Sequence, residues 1–155
     1  MSIGRSLGDY IWAFSKECLN EETREQARKC LIDYLGVTVA GQSANEQATK
    51  TYLDAVSSEK GNIPVLGSGL QTTALHAAYL NAFNAHYLEL DDGHRFAMLH
   101  PGAPVISALI PLAISKASSW DEFYRSLISG YELTISLARR LQPDRSEEHT
   151  SELQS

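Results

Sequence analysis

Three histidines, three carboxylates and one arginine fall within the window His86-Tyr87-Leu88-Glu89-Leu90-Asp91-Asp92-Gly93-His94-Arg95-Phe96-Ala97-Met98-Leu99-His100-Pro101-Gly102-Ala103-Pro104. No other stretch joins that many histidines to carboxylates. Glu89, Asp91 and Asp92 follow a helical segment, and the negative end of a helix dipole disfavours carboxylates. They therefore form either a solvated acidic turn or a set in chemical use. Pro101 biases His100 towards extended backbone, while Gly102 permits close backbone approach just before a helix start. The free amides there, near Gly102 and Ala103, suit a substrate carboxylate. A histidine beside such an anion site can act as general acid or base near neutral pH; the alternative is a hydrogen-bonded loop histidine. Arg95 either holds a second carboxylate through a bidentate contact or neutralises the aspartates.

His86, Asp91, Asp92, His94 and His100 are all possible metal ligands by type, but their spacing fits no HExxH, CxxC or EF-hand pattern. Neither a metal nor another cofactor is expected. His76, set among Leu75, Ala77 and Ala78, reads as a helix-packing residue. Cys18 and Cys30 suggest neither a disulfide framework nor a redox pair. The glycines Gly67 and Gly69 are too few for a phosphate-cradling loop.

The elements that position this window are helices. Leu7, Tyr10, Ile11, Phe14 and Cys18 recur at three- and four-residue steps. Thr23 opens a second helix whose apolar face runs from Ala27 to Thr38, with Gly41 as its expected stop. Ala48 to Val56 forms a third, and Ile63 to Leu66, bracketed by glycines, predicts a single short strand or extended loop. Thr72 or Thr73 caps a helix over Ala74 to Glu89, whose near-absence of charge predicts burial on most sides. Residues Asp91 to Ala103 lack period and read as a loop. Pro104 suits a first helical turn leading to about Ala117, with Pro111 as a kink or boundary. Ser119 and Glu122 fit a capping box, opening a helix to about Leu141 that Pro143 ends. The fold class is all-α, about six helices with at most one short strand.

Composition sets the outer bounds. The 155 residues suit one domain, and 43% hydrophobic with 21% charged residues is ordinary globular usage. A net charge of −6 with scattered Lys and Arg disfavours nucleic acid as a partner. No basic leader and no apolar run long enough for a bilayer is seen, so no membrane partner and a cytoplasmic location are expected. Residues 145–155, RSEEHTSELQS, break the apolar pattern. They read as a non-native polar tail, a translated sequencing adapter, appended to a partial domain over residues 1–144.

The chain resembles the MmgE/PrpD family, which includes 2-methylcitrate dehydratases, cis-aconitate decarboxylases and iminodisuccinate epimerases. The resemblance runs over most of Arg24 to Leu141. It is carried by Leu31-Ile32-Asp33-Tyr34-Leu35-Gly36-Val37 with Ala40-Gly41, then Asn81-Ala82 with His86 and Glu89-Leu90-Asp91-Asp92. His100-Pro101-Gly102-Ala103-Pro104-Val105-Ile106 and Gly130-Tyr131-Glu132 follow. It implies an N-terminal fragment of a homodimeric, metal-independent lyase or isomerase acting beside the carboxylate of a small di- or tricarboxylate, a dehydratase first of all. It further implies a catalytic histidine at His100 and a catalytic acidic residue among Glu89, Asp91 and Asp92, with further His and Lys groups in later sequence, so the fragment alone is expected to be inactive. Substrate contacts are expected at Arg95, Gly102 and Ala103. The reading from a different class is a noncatalytic helical binding or assembly fragment.

Overall fold

The computed structural model describes residues 3–14 and 19–141. Cys18, Pro143 and the polar tail lie outside the described residues. Six helices and one two-stranded hairpin follow in chain order: α1 (Ile3–Phe14), α2 (Glu21–Ala44), α3 (Glu46–Ala55), β1 (Ile63–Val65), β2 (Leu70–Thr72), α4 (Ala74–His86), α5 (Gly102–Lys116) and α6 (Trp120–Leu141). The chain is mostly helical, as its periodicity requires. A second strand joins the one expected, because Gly67 and Gly69 adopt positive φ and turn the chain so that Leu70–Thr72 pairs antiparallel with Ile63–Val65.

Helix α2 starts two residues before Thr23, because the Asn20 side chain accepts a hydrogen bond from the Thr23 amide at 2.7 Å and so supplies the N-cap. It also runs through Gly41, the residue read as its stop. A Cβ at Gly41 would lie 1.9 Å from the Asn84 carbonyl oxygen, so this glycine serves close helix packing rather than termination. Helices α2, α4 and α5 pack together around Ala27, Leu31, Tyr34, Ala85, Ala103 and Ile106, with Phe123 and Leu127 of α6 closing the core. Buried polar side chains thread this packing. Gln42 Oε1 accepts from Thr49 Oγ1 and Asn84 Nδ2, both at 2.7 Å, and Tyr34 meets Ser107 at 2.6 Å. Asn81 accepts from the Leu66 amide and donates to the Pro64 carbonyl, tying the hairpin to α4.

Thr73 caps α4, its side chain accepting from the His76 amide. The helix buries His76, Ala77, Leu80, Asn81, Asn84 and Ala85. Its other face is open: Leu75, Tyr79, Phe83 and Tyr87, one every fourth residue, are exposed. Burial on most sides therefore holds except along this stripe, since an apolar composition does not say whether every face has a partner within the chain. Helix α5 begins at Gly102, placing Pro104 in the first turn, and continues through Pro111. Pro111 offers no N–H to the Ser107 carbonyl, yet the surrounding packing keeps the helix whole. The capping box at α6 forms as its sequence requires, Ser119 Oγ accepting from the Glu122 amide while Glu122 Oε2 accepts from the Ser119 amide. Among the described residues no helix is long and apolar enough to cross a membrane.

Gly41→Ala tests the α2–α4 approach. The two backbones must separate to admit the methyl group, and overpacking of this kind costs about 1–3 kcal/mol. The expected outcome is a lower urea midpoint with an unchanged slope; wild-type stability would show that the helices do not approach this closely.

Candidate functional site

The site lies where α4 ends and α5 begins. After His86 the chain leaves the helix through Tyr87, and Glu89 adopts φ 53°, the left-handed conformation that reverses its direction. This ends α4 at His86 rather than Glu89. Residues 94–99 then close on themselves: the His94 amide donates to the Leu99 carbonyl at 2.9 Å, and the Met98 amide returns to the His94 carbonyl at 2.7 Å. The His94 ring accepts from the Ala97 amide at 3.1 Å, which commits it to the loop. The closure brings His100 back to the end of α4.

Asp91 and Asp92, at the bend after α4, face different partners. Asp92 joins three parts of the fold. Its Oδ1 accepts from the Gly102 amide at 2.8 Å and its Oδ2 from the Tyr131 hydroxyl of α6 at 2.7 Å. A Cβ at Gly102 would stand 2.6 Å from that Oδ1, so the glycine is needed for the contact. The helix-start amide expected to hold a substrate carboxylate thus receives the chain's own carboxylate, because Asp92 is the anion nearest to it. Burial, followed by the bond to ionised Asp92, drives the Tyr131 hydroxyl far above the ordinary tyrosine range. Burial, followed by the Asp92 charge, also raises the Cys30 thiol.

Asp91 turns to the histidines. Its side chain is only 2% exposed, and His86 Nδ1 lies 3.0 and 3.1 Å from its two oxygens. His100 Nδ1 stands at 3.7 Å from Asp91 Oδ2, an ion-pair distance too long for a hydrogen bond. The two imidazoles meet edge to face, with ring centroids 5.3 Å apart. His86, Asp91 and His100 therefore form one cluster, with Asp92 beside it as a tether.

The remaining candidates stand apart. Glu89 is exposed at the turn, and its side chain makes no hydrogen bond or ion pair with a described residue. Arg95 pairs with neither aspartate; its guanidinium lies over the Phe96 ring, 5.2 Å from the centroid, on the exposed side of the loop. Ala103 is buried in the helical core.

The model of the MmgE/PrpD N-terminal domain matches residues 5–154. The chain belongs to the MmgE/PrpD family. No curated protein and no solved structure matched it. Membership makes it part of a lyase-type enzyme family, and the motifs that carried the resemblance acquire physical roles. His86 and Tyr131 of this MmgE/PrpD chain were both inside those motifs without being placed among the site residues. Nothing in local periodicity marks either one, because each meets its aspartate only after the loop closes. Gly41 belongs to another of those motifs and serves helix contact.

Tyr34, raised by burial in the core, and Tyr131 retain their protons above about pH 10, where exposed tyrosines ionise. The unfolded chain releases both protons there, so the native state binds more and stability falls as pH rises past that point. Absorbance titration of the phenolate should show two of the seven tyrosines lagging, and only one in Tyr131→Phe. Near neutral pH the same substitution should cost about 1.5–3 kcal/mol, the range for a hydrogen bond to a charged group. Normal ionisation of all tyrosines would refute the Asp92–Tyr131 bond.

Proposed function

We propose that this domain supplies the acid–base histidine of a cytoplasmic dehydratase-type lyase. Its substrate is a small di- or tricarboxylate of the 2-methylcitrate kind, attacked by proton transfer at the carbon beside a carboxylate. The observation that carries the reading is His100 beside the covered Asp91 carboxylate. A proton-transfer base must be oriented yet free to exchange its proton, and the two histidines divide these demands. His86 is held by both Asp91 oxygens, whereas His100, half exposed and at the looser distance, keeps the freedom to reach substrate. Asp91 stabilises the imidazolium that forms when His100 takes the proton. Asp92 acts as a positioning residue by fixing the loop to α5 and α6. Glu89 and Arg95, both exposed at the loop, are the groups available to protonate a leaving hydroxyl and to hold a second carboxylate. Decarboxylation and epimerisation begin from the same carbanion chemistry and differ in what the remaining groups of the complete enzyme do next.

The exposed stripe Leu75, Tyr79, Phe83 and Tyr87 favours a further role in assembly, with a homodimer as the proposed state of the complete enzyme. A purely noncatalytic helical assembly module is the second reading that this stripe supports.

Turnover of 2-methylcitrate by the complete enzyme separates the two. His100→Asn should lower kcat by about two orders of magnitude or more with a smaller effect on KM, the usual contribution of a positioned acid–base group. Near-normal kcat in His100→Asn and Asp91→Asn would reject the catalytic reading and leave the assembly module.

A further inference from the structure

Asp91 presents a charge problem that the described residues do not solve. A carboxylate taken out of water needs compensating positive charge or a full set of hydrogen bonds. With 2% of its side chain exposed, Asp91 has His86 and His100 as its partners, and no lysine or arginine among the described residues pairs with it. Asp92, one residue on, is satisfied by the Gly102 amide and the Tyr131 hydroxyl. The imbalance is specific to Asp91.

The same geometry suits a metal ion. One ligand atom from each of His86, Asp91 and His100 lies within 4.8 Å of the other two. Zinc-type ions bind imidazole nitrogen and carboxylate oxygen at about 2.0–2.2 Å. At such lengths the 3.0 Å separation subtends roughly 85–100° at a shared ion and the 3.7 Å separation roughly 115–135°, one on each side of the tetrahedral angle, so small side-chain rotations bring the ligands into place. The two imidazole side chains are 52% and 49% exposed, so an ion can enter from solvent and retain water at its remaining positions. Two imidazoles favour a borderline transition metal over Mg2+ or Ca2+, which prefer all-oxygen sites.

We propose that His86, Asp91 and His100 form a two-histidine, one-carboxylate site for a divalent transition-metal ion of the Zn2+ class. The ion accepts a lone pair from one nitrogen of each imidazole and from an Asp91 oxygen, and any protons on those nitrogens pass to solvent. It would occupy the nitrogens that the proposed proton transfer uses, so ion binding and acid–base work exclude each other at this site. The site is a matter of binding and does not rest on the catalytic reading.

The test uses the purified 155-residue chain, stripped with a chelator and titrated with Zn2+ against a chromophoric competitor. Co2+ serves as the spectroscopic probe. The expected result is one equivalent of Zn2+ bound, with Co2+ giving the intense visible bands of a four- or five-coordinate site. His86→Ala and His100→Ala should each weaken Zn2+ binding at least tenfold, since even loss of groups supporting a ligand costs about 10–100-fold. Both imidazoles are half exposed, and far-UV circular dichroism checks that the variants stay folded. His149→Ala, in the polar tail, should bind as the wild type does. Absence of stoichiometric binding overturns the proposal. So does wild-type affinity in either His86→Ala or His100→Ala, or octahedral Co2+ spectra unaffected by them.

Discussion

The carboxylate of Asp92 is the contact on which the arrangement around the loop depends. It accepts from the first amide of α5 and from a hydroxyl in the middle of α6, so a single side chain joins a loop to two helices. Remove it and the α5 N-terminus loses its anion, while Tyr131 is left with a half-buried hydroxyl lacking this acceptor. The cost would fall on the loop, because His100 sits two residues before Gly102 and inherits its position from that anchor. Helix dipole, glycine and aspartate act in one direction here: the amide attracts an anion, the missing Cβ lets it approach, and the hydroxyl fixes its second oxygen.

Two adjacent carboxylates could have repelled each other into solvent. The loop instead gives them separate partners, one a polar anchor and the other two imidazoles. The anchor takes one donor on each oxygen, both from neutral groups. The other carboxylate is left with two imidazoles as its partners. A proton and a metal ion are the two ways to complete it, and both would act at the same nitrogens.

The family match and the open face of α4 bear on the same helix from opposite sides. The buried side of α4 carries the asparagines that satisfy the hairpin and the α2–α3 turn region, and its end supplies His86. The exposed side is a row of large apolar residues at one-turn spacing. One helix thus carries both the buried polar contacts and, at its end, His86.

Local sequence was sufficient for the helices, because a cap, a period and a stop act within a few residues: Ser119 with Glu122 is legible without any tertiary knowledge. It was sufficient also for marking the ionisable window, whose histidines and carboxylates the fold gathers at the end of α4. It misread Gly41 and the reach of α4, where the deciding partner is another helix. It likewise left His86 and Tyr131 outside the site, and assigned the Gly102 amide to a substrate that Asp92 forestalls. The sequence by itself determined a helical domain with one ionisable loop. Only the tertiary structure decided which histidine meets which aspartate, because hydrogen bonds span about 3 Å, and the chain comes within that reach only after the loop closes on α5 and α6.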